Sequence, residues 1–533
     1  MQLSSGIKDL YQRLQAIHRM ESYSDDVSKI EVDEIASRLA RLYEQIRNTI
    51  DYKEDYILRR FAMERLIRRQ LISGHLDPKI ARRMLEELIR GHYLPNQTLP
   101  ETIVNDIEVI LEKYSYLMVL LSERDHTSKE KSKYQDWLVS VLACEIDLFL
   151  SPEHKNDALI EAAYQFVKDR VKVRGQGLSI REKNIQVYIA IHRDLVMSDN
   201  AIIGLHLFQL YFPDWTEKSD RRLVQYVADK FPAIFAGIQQ HLAYRDQPKI
   251  KTAMRKEMAI FKVLKNIIFD EKIDLTELLA SPEKFKLQVG KSLNALNKRI
   301  KSKITRSSLR AIFYIFLTKM LLALILEYPY DLLVAKHVNY VTLSINILFP
   351  PILMFLMALS AHMPGATSQA AIVDGVMGYV YGEPETKSLI LLKNPRSRGP
   401  LFSFILYLIY LVLYGFVFGV IIMYLNKLGF NLLSGGLFIF FVTAVSFFAV
   451  RIRQQAKEFN VIQKREGLIS FLLNFFSLPI IKLGALLSSN ISRINIFIFL
   501  FDFVLEAPFK LFVALLENIF GYVKEKREEV YKE

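Results

Sequence analysis

The chain has 533 residues, 51% of them apolar and 12% aromatic, a richer apolar content than an ordinary soluble domain carries. Its formal net charge of +13 is unevenly placed: residues 1 to 283 hold 42 basic and 43 acidic side chains, whereas residues 284 to 310 hold nine basic and no acidic ones. That excess sits beside membrane-length apolar stretches, where the positive-inside rule accounts for it and excludes nucleic acid as the expected partner; the single cysteine, Cys144, excludes an intrachain disulfide framework and any zinc site needing two thiolates.

Met1 to Leu14 reads charged and helical, without the apolar core of a cleavable signal. Residues 1 to 283 are therefore expected to form a soluble, cytoplasmic, multi-helix domain. Ile35, Leu39, Leu42, Ile46 and Ile50 make one helical stripe, and Ile103, Ile107, Ile110, Tyr114, Leu117 and Leu121 make another. Helix starts are signalled at Asp77-Pro78, at Ser151-Pro152-Glu153, at Ser179 with Glu182 as a capping box, and at Ser281-Pro282-Glu283. Turns fall at Pro95-Asn96, Gly175-Gln176-Gly177 and Phe212-Pro213-Asp214, and no run alternates with period two for long enough to predict a strand. Cys144 reads as a small apolar residue on a helix face.

Two near-motifs lead nowhere. His192-Arg193-Asp194-Leu195 resembles the opening of a kinase catalytic loop, but Asp199 stands where that loop requires asparagine, and the run fits a helix ending before Ser198. Gly175-Gln176-Gly177 lacks the third glycine and the preceding strand of a phosphate loop. The histidines of this half never occur as an i, i+4 pair, so no metal site is proposed by local spacing.

Residues 284 to 308 read as a polybasic connector in which Lys291, Lys298, Arg299, Lys301, Lys303 and Arg306, with Arg310 just beyond, are expected to contact anionic headgroups. Residues 309 to 466 then hold four apolar spans, 309–327, 339–361, 401–425 and 433–450, each long enough to cross about 30 Å of hydrocarbon. Basic residues are sparse in the 328–338 and 426–432 turns and frequent in 362–400 and 451–466, which puts both termini and the middle loop on the cytoplasmic side of the cell membrane. Gly415 and Gly419 read as a small-xxx-small pair serving internal helix packing, and Pro350-Pro351 as a kink. Ile372, Val376 and Tyr379 make an amphipathic face that could rest on the inner membrane surface.

Residues 467 to 533 read as an amphipathic or re-entrant helical pair, 468–486 and 494–520, followed by a basic tail. Asn495, Asp502, Glu506, Lys510 and Glu517 fall within about 80° of one another on a helical wheel, a polar stripe too costly to turn toward lipid. Lys319, in the middle of the first span, needs a carboxylate or water, and Asp502 or Glu506 is the candidate partner. The expected fold is thus all-α: an N-terminal soluble helical domain followed by a polytopic membrane domain. The expected role is a membrane-anchored protein-binding or scaffold protein contacting anionic lipid and an unidentified protein partner of residues 1–283. The alternative is a small transporter or channel built on Lys319 and the Asp502/Glu506/Lys510 stripe. His362, Asp374 and Glu383 are too scattered to predict an enzyme, and no catalytic, cofactor-binding or metal-ligating set emerges.

Overall fold

A computed structural model gives the fold. It describes residues 3–20, 28–32, 55–72, 74, 76–151, 154–174, 178–216, 220–270, 272–336, 338–359, 365–382, 390–393, 399–456, 459, 461 and 468–491. The fold is all-α with almost no strand, and the described chain divides into two compact units.

The helical unit comprises residues 9–168 and 178–251. Most of α1 (Ser5–Met20) belongs to it, followed by α2 (Asp55–Ile72), α3 (Ile80–Arg90), α4 (Ile103–Glu123), α5 (Ser128–Leu150) and α6 (His154–Val167). After the strand β1 (Val171–Arg174) come α7 (Ile180–Leu195), α8 (Asn200–Tyr211), α9 (Arg221–Leu242) and α10 (Gln247–Ala253). Short polar side chains start these helices. The capping box at Ser179 and Glu182 forms as the sequence predicts, and a second, at Thr127 and Glu130, starts α5. Asp199 accepts hydrogen bonds from the Ala201 and Ile202 amides at the head of α8; such a cap stabilises a helix by about 1 kcal/mol. Between Leu138 and Ile146, α5 is buried on nearly every side, Cys144 included, as expected of a helix at the centre of a core. Around it Tyr134, Trp137, Phe208, Phe231 and Phe235 pack edge to face.

The second unit comprises residues 1–8, 169–177 and 252–495, so the division falls after Lys251 and not at the start of the basic run. It contains α11 (Arg255–Ile268), α12 (Leu275–Ala280), α13 (Pro282–Leu322), two π-helical turns (Ala323–Glu327 and Asp331–Ala335) flanking α14 (Tyr328–Tyr330), α15 (Tyr340–Leu359) and α16 (Ala366–Tyr381). The strand β2 (Ile390–Lys393), α17 (Pro400–Lys427), α18 (Leu432–Ala456) and α19 (Leu468–Ile491) complete it. Among the described residues, four helical stretches are long and apolar enough to cross a membrane: Pro282–Val334, Tyr340–Leu359, Pro400–Lys427 and Leu432–Ile452.

Several sequence expectations change here. The basic connector and the first span form one continuous helix, because nothing between Pro282 and Leu322 breaks the backbone and the cations stand on its solvent side. The 328–338 turn is mostly helical, ending at Lys336 in the left-handed region with φ 59°. Among the described residues two four-residue strands form: β1 and β2 pair in parallel, Val171 opposite Ile390 and Arg174 opposite Lys393, a pairing too short and too distant in sequence to read from alternation. The amphipathic face of α16 is not a membrane surface; Ile372, Val376 and Tyr379 are buried, Tyr379 edge to face with Phe261 and Gly375 tight against Ile260. The N-terminal segment also reaches α16, where the Ser4 amide donates to the Val380 carbonyl at 2.9 Å.

Candidate functional site

The bundle of candidate spans encloses a polar network. Lys319, Glu327 and Asn346 are 0%, 1% and 0% exposed. Along a regular α-helix, eight residues advance about 800°, leaving Glu327 about 80° out of phase with Lys319. The π turn over Ala323–Glu327 is wider, with i→i+5 bonding, so each residue rotates less and the carboxylate comes back beneath the ammonium. Lys319 Nζ donates to Glu327 Oε1 at 2.7 Å and lies 4.9 Å from the centroid of the Phe441 ring. Asn346 Nδ2 donates to Glu327 Oε2 at 2.5 Å and to the Ser434 carbonyl at 3.2 Å. The Ser434 amide in turn donates to Asn431 Oδ1 at 2.8 Å, and Asn431 Nδ2 donates to Asp331 Oδ1 at 2.6 Å. The result is a thread of polar groups running from Lys319 to the turn between α17 and α18, joining three of the candidate spans. At that turn Gly429 takes φ 79°, and a Cβ there would stand 3.1 Å from the Asn339 side-chain nitrogen.

Lys319, singled out by its place in the first apolar span, pairs with Glu327 on the same helical rod, while Asp502 and Glu506, the partners expected for it, lie outside the described residues. Glu327 closes the predicted first span and carries no signal of its own, since its role depends on a π turn that the sequence does not announce. Asn495, Asp502, Glu506, Lys510 and Glu517 lie outside the described residues, as does the 494–520 segment. Gly415 and Gly419 do not serve internal packing among the described residues: a Cβ added at either meets no heavy atom within 4 Å, because α17 is largely exposed. The close helix approach occurs instead at Gly484 of α19, where a Cβ would overlap the Thr443 carbonyl oxygen of α18. Lys482 on the same helix sits 4.3 Å from the Tyr410 ring centroid.

The seven cations expected to touch headgroups, Lys291, Lys298, Arg299, Lys301, Lys303, Arg306 and Arg310, all lie exposed on α13. Arg299 also donates to Asn266 Oδ1 at 3.2 Å, across to α11.

In the helical unit the run at His192 is the last turn of α7 and not a loop. His192 Nδ1 lies 3.2 Å from Ser198 Oγ, Asp194 pairs with Lys251 at 3.0 Å, and Arg193 donates to Asn200 Oδ1 at 2.8 Å. The fold brings His192 and His206 together from adjacent helices, ring centroids 4.8 Å apart, a pair invisible to local spacing. Burial, and for His192 the neighbouring His206, pushes their pKa values down to about 3 and about 4. Among the described residues no group of three or more His, Cys, Asp and Glu is placed to hold a metal.

The same unit carries a divided groove along α4. On one side a cavity of about 200 Å³ is lined by Leu71, Leu76, Met118, Val119, Tyr134 and Leu138 among others. On the other side one of about 430 Å³ is lined by Leu76, Val109, Glu112, Tyr116, Val119 and Arg221 among others. Leu76, Ser115 and Val119 border both, and Val109 and Val119 are exposed. Beneath the second cavity lies a satisfied buried cluster: Lys113 Nζ donates to Glu145 Oε1 at 2.7 Å and to the Trp215 carbonyl at 2.7 Å, and Tyr114 Oη donates to Glu145 Oε2 at 2.5 Å. That cluster makes the groove floor rigid. Comparison of the chain with protein-family models, curated proteins and solved structures finds no match.

Proposed function

We propose that this membrane protein is an anchored protein-binding protein, its helical unit offering the α4 groove to the apolar side chains of a partner, with that unit and both chain ends on the cytoplasmic side. The observation that carries this reading is the groove itself: exposed valines flanked by two concavities, a rim of Asp77, Glu112, Lys131 and Arg221, and a floor pinned by the Lys113–Glu145–Trp215 cluster. An apolar centre with a polar rim is the composition of a recognition surface. The positive-inside distribution of the loops supports the orientation. On this reading the Lys319–Glu327–Asn346 network ties the spans together instead of lining a conduit, since both charges are engaged by partners within the bundle.

The test is a photo-crosslinking residue at Val119 in the full-length protein in native membranes. A discrete adduct that disappears when Val109→Asp is added supports the proposal. No adduct, or one indifferent to Val109→Asp, refutes it. Solute or ion flux in proteoliposomes that Lys319→Met abolishes in folded protein would favour the conduit reading.

A further inference from the structure

The solvent side of α13 carries a second surface, independent of the α4 groove. Lys284, Leu287, Lys291, Asn294, Lys298, Lys301 and Thr305 are all exposed. Their spacing is i, i+3, i+7, i+10, i+14, i+17, i+21, the line along which a second helix lies in a coiled-coil seam. The opposite side of the helix is spent on packing: Phe285, Val289, Ser292 and Leu293 are buried, and Ser292 Oγ accepts from Asn266 Nδ2 at 2.7 Å. Among the described residues, Lys284 alone of the ridge lysines is in an ion pair, with the exposed Glu277 at 2.8 Å.

Four lysines along one seam, in a stretch from 284 to 310 without an acid, repel each other, and among the described residues Lys291, Lys298 and Lys301 meet no carboxylate that would offset this. The bilayer accounts for only part of this charge. At about 1.5 Å per residue, Lys291 stands about 27 Å up the rod from Leu309, and still about 20 Å if the helix tilts by about 40°, beyond a headgroup layer of about 5–8 Å and a Debye length of about 8 Å. Arg306 and Arg310 lie within that layer; Lys291 does not. A second copy of the chain would bring lysine against lysine. A phosphate backbone would find ridge lysines about 10 Å apart from Lys284 to Lys298, with Lys301 about 4.5 Å further on, and no use for Leu287, which is 61% exposed at the seam.

We propose that this ridge docks an acidic amphipathic helix of a partner protein, its carboxylates spaced in heptads against Lys291, Lys298 and Lys301 and an apolar residue against Leu287. The ridge is thereby a recognition surface held clear of the membrane on a continuous helix.

The test uses full-length protein in nanodiscs of phosphatidylcholine and a fluorescent helical peptide bearing glutamates at heptad spacing and leucine on the seam, read by anisotropy. The heptad peptide should bind more tightly than a scrambled peptide of the same composition. The variant Lys291→Glu/Lys298→Glu/Lys301→Glu should weaken it by about tenfold or more, since three attractions become three repulsions. A peptide with lysines in place of the glutamates should recover binding to that variant, which shows that the variant is folded. Equal binding of the scrambled peptide, tighter binding of a single-stranded oligonucleotide, or unchanged affinity in the variant overturns the proposal. Protection of Lys291 from amine modification on adding phosphatidylserine to the nanodiscs would make the membrane the occupant, and overturns it too.

Discussion

Lys319 shows why a buried charge cannot be judged from its own position. Alone, a lysine in an apolar span looks like a residue that methionine could replace. With Glu327 beneath it and Asn346 on the far carboxylate oxygen, removing the ammonium strands a carboxylate in the bundle interior, and that costs about 3–5 kcal/mol. Lys319→Met should therefore destabilise strongly, whereas Lys319→Met combined with Glu327→Gln should recover much of the loss. Unfolding in graded sodium dodecyl sulfate measures both; equal losses in the single and double variants would contradict the ion-pair assignment. Cys144 gives a second expectation. Burial pushes its thiol far above the range in which thiolate forms, so a maleimide should label the native protein negligibly and the unfolded protein fully, as mass spectrometry would record.

The histidine pair sets an acid limit. His192 and His206 hold protons less readily folded than unfolded, so between about pH 6.5 and pH 4 the unfolded chain binds more protons and stability rises with pH. Stability is complete above about pH 6.5 and is lost as pH falls toward the two folded values. Near-ultraviolet circular dichroism against pH should show a shallower acid limb for His192→Gln than for the unaltered protein.

Among elements, contact depends on shape more than on motif. The spaced glycines of α17 advertise packing yet are exposed among the described residues, whereas Gly484, the one glycine of α19, lets that helix press its backbone against α18 at Thr443. Gly484→Leu should separate those helices and lower stability by about 2 kcal/mol or more, and Gly415→Leu with Gly419→Leu should change it little; unfolding in graded sodium dodecyl sulfate would report the difference. Helix type and approximate span limits were legible because 3.6-residue periodicity and sustained apolarity are local properties. Ser179 and Glu182 were likewise legible, since a cap is decided within four residues. Glu327, Gly484, the His192–His206 pair and the β1–β2 ladder were not, because each is made by segments that only the fold brings together.

At the scale of the whole molecule, the division of the chain departs from its composition. Polarity changes near residue 309, but the compact unit that holds the spans begins at Thr252, because α11 is amphipathic and its apolar side, including Ile260, Phe261, Val263 and Leu264, is buried within that unit. Its contacts include Phe261 on Tyr379 and Ile260 on Gly375 of α16, and Tyr381 Oη donates to the Leu279 carbonyl at 3.0 Å. Burying a large apolar side chain is worth about 1.5–3 kcal/mol, so the few at this seam outweigh the marginal stability of a lone amphipathic helix. A chain beginning at residue 252 should keep α16 seated, apart from the contacts that residues 3–8 and β1 supply, while one beginning at 284 should expose Ile372, Val376 and Tyr379. Limited proteolysis in detergent distinguishes them: cleavage within 366–381 should be slow in the longer fragment and fast in the shorter. Equal rates would place the boundary at the basic run after all, and would mean that α11 contributes nothing to holding α16 in place.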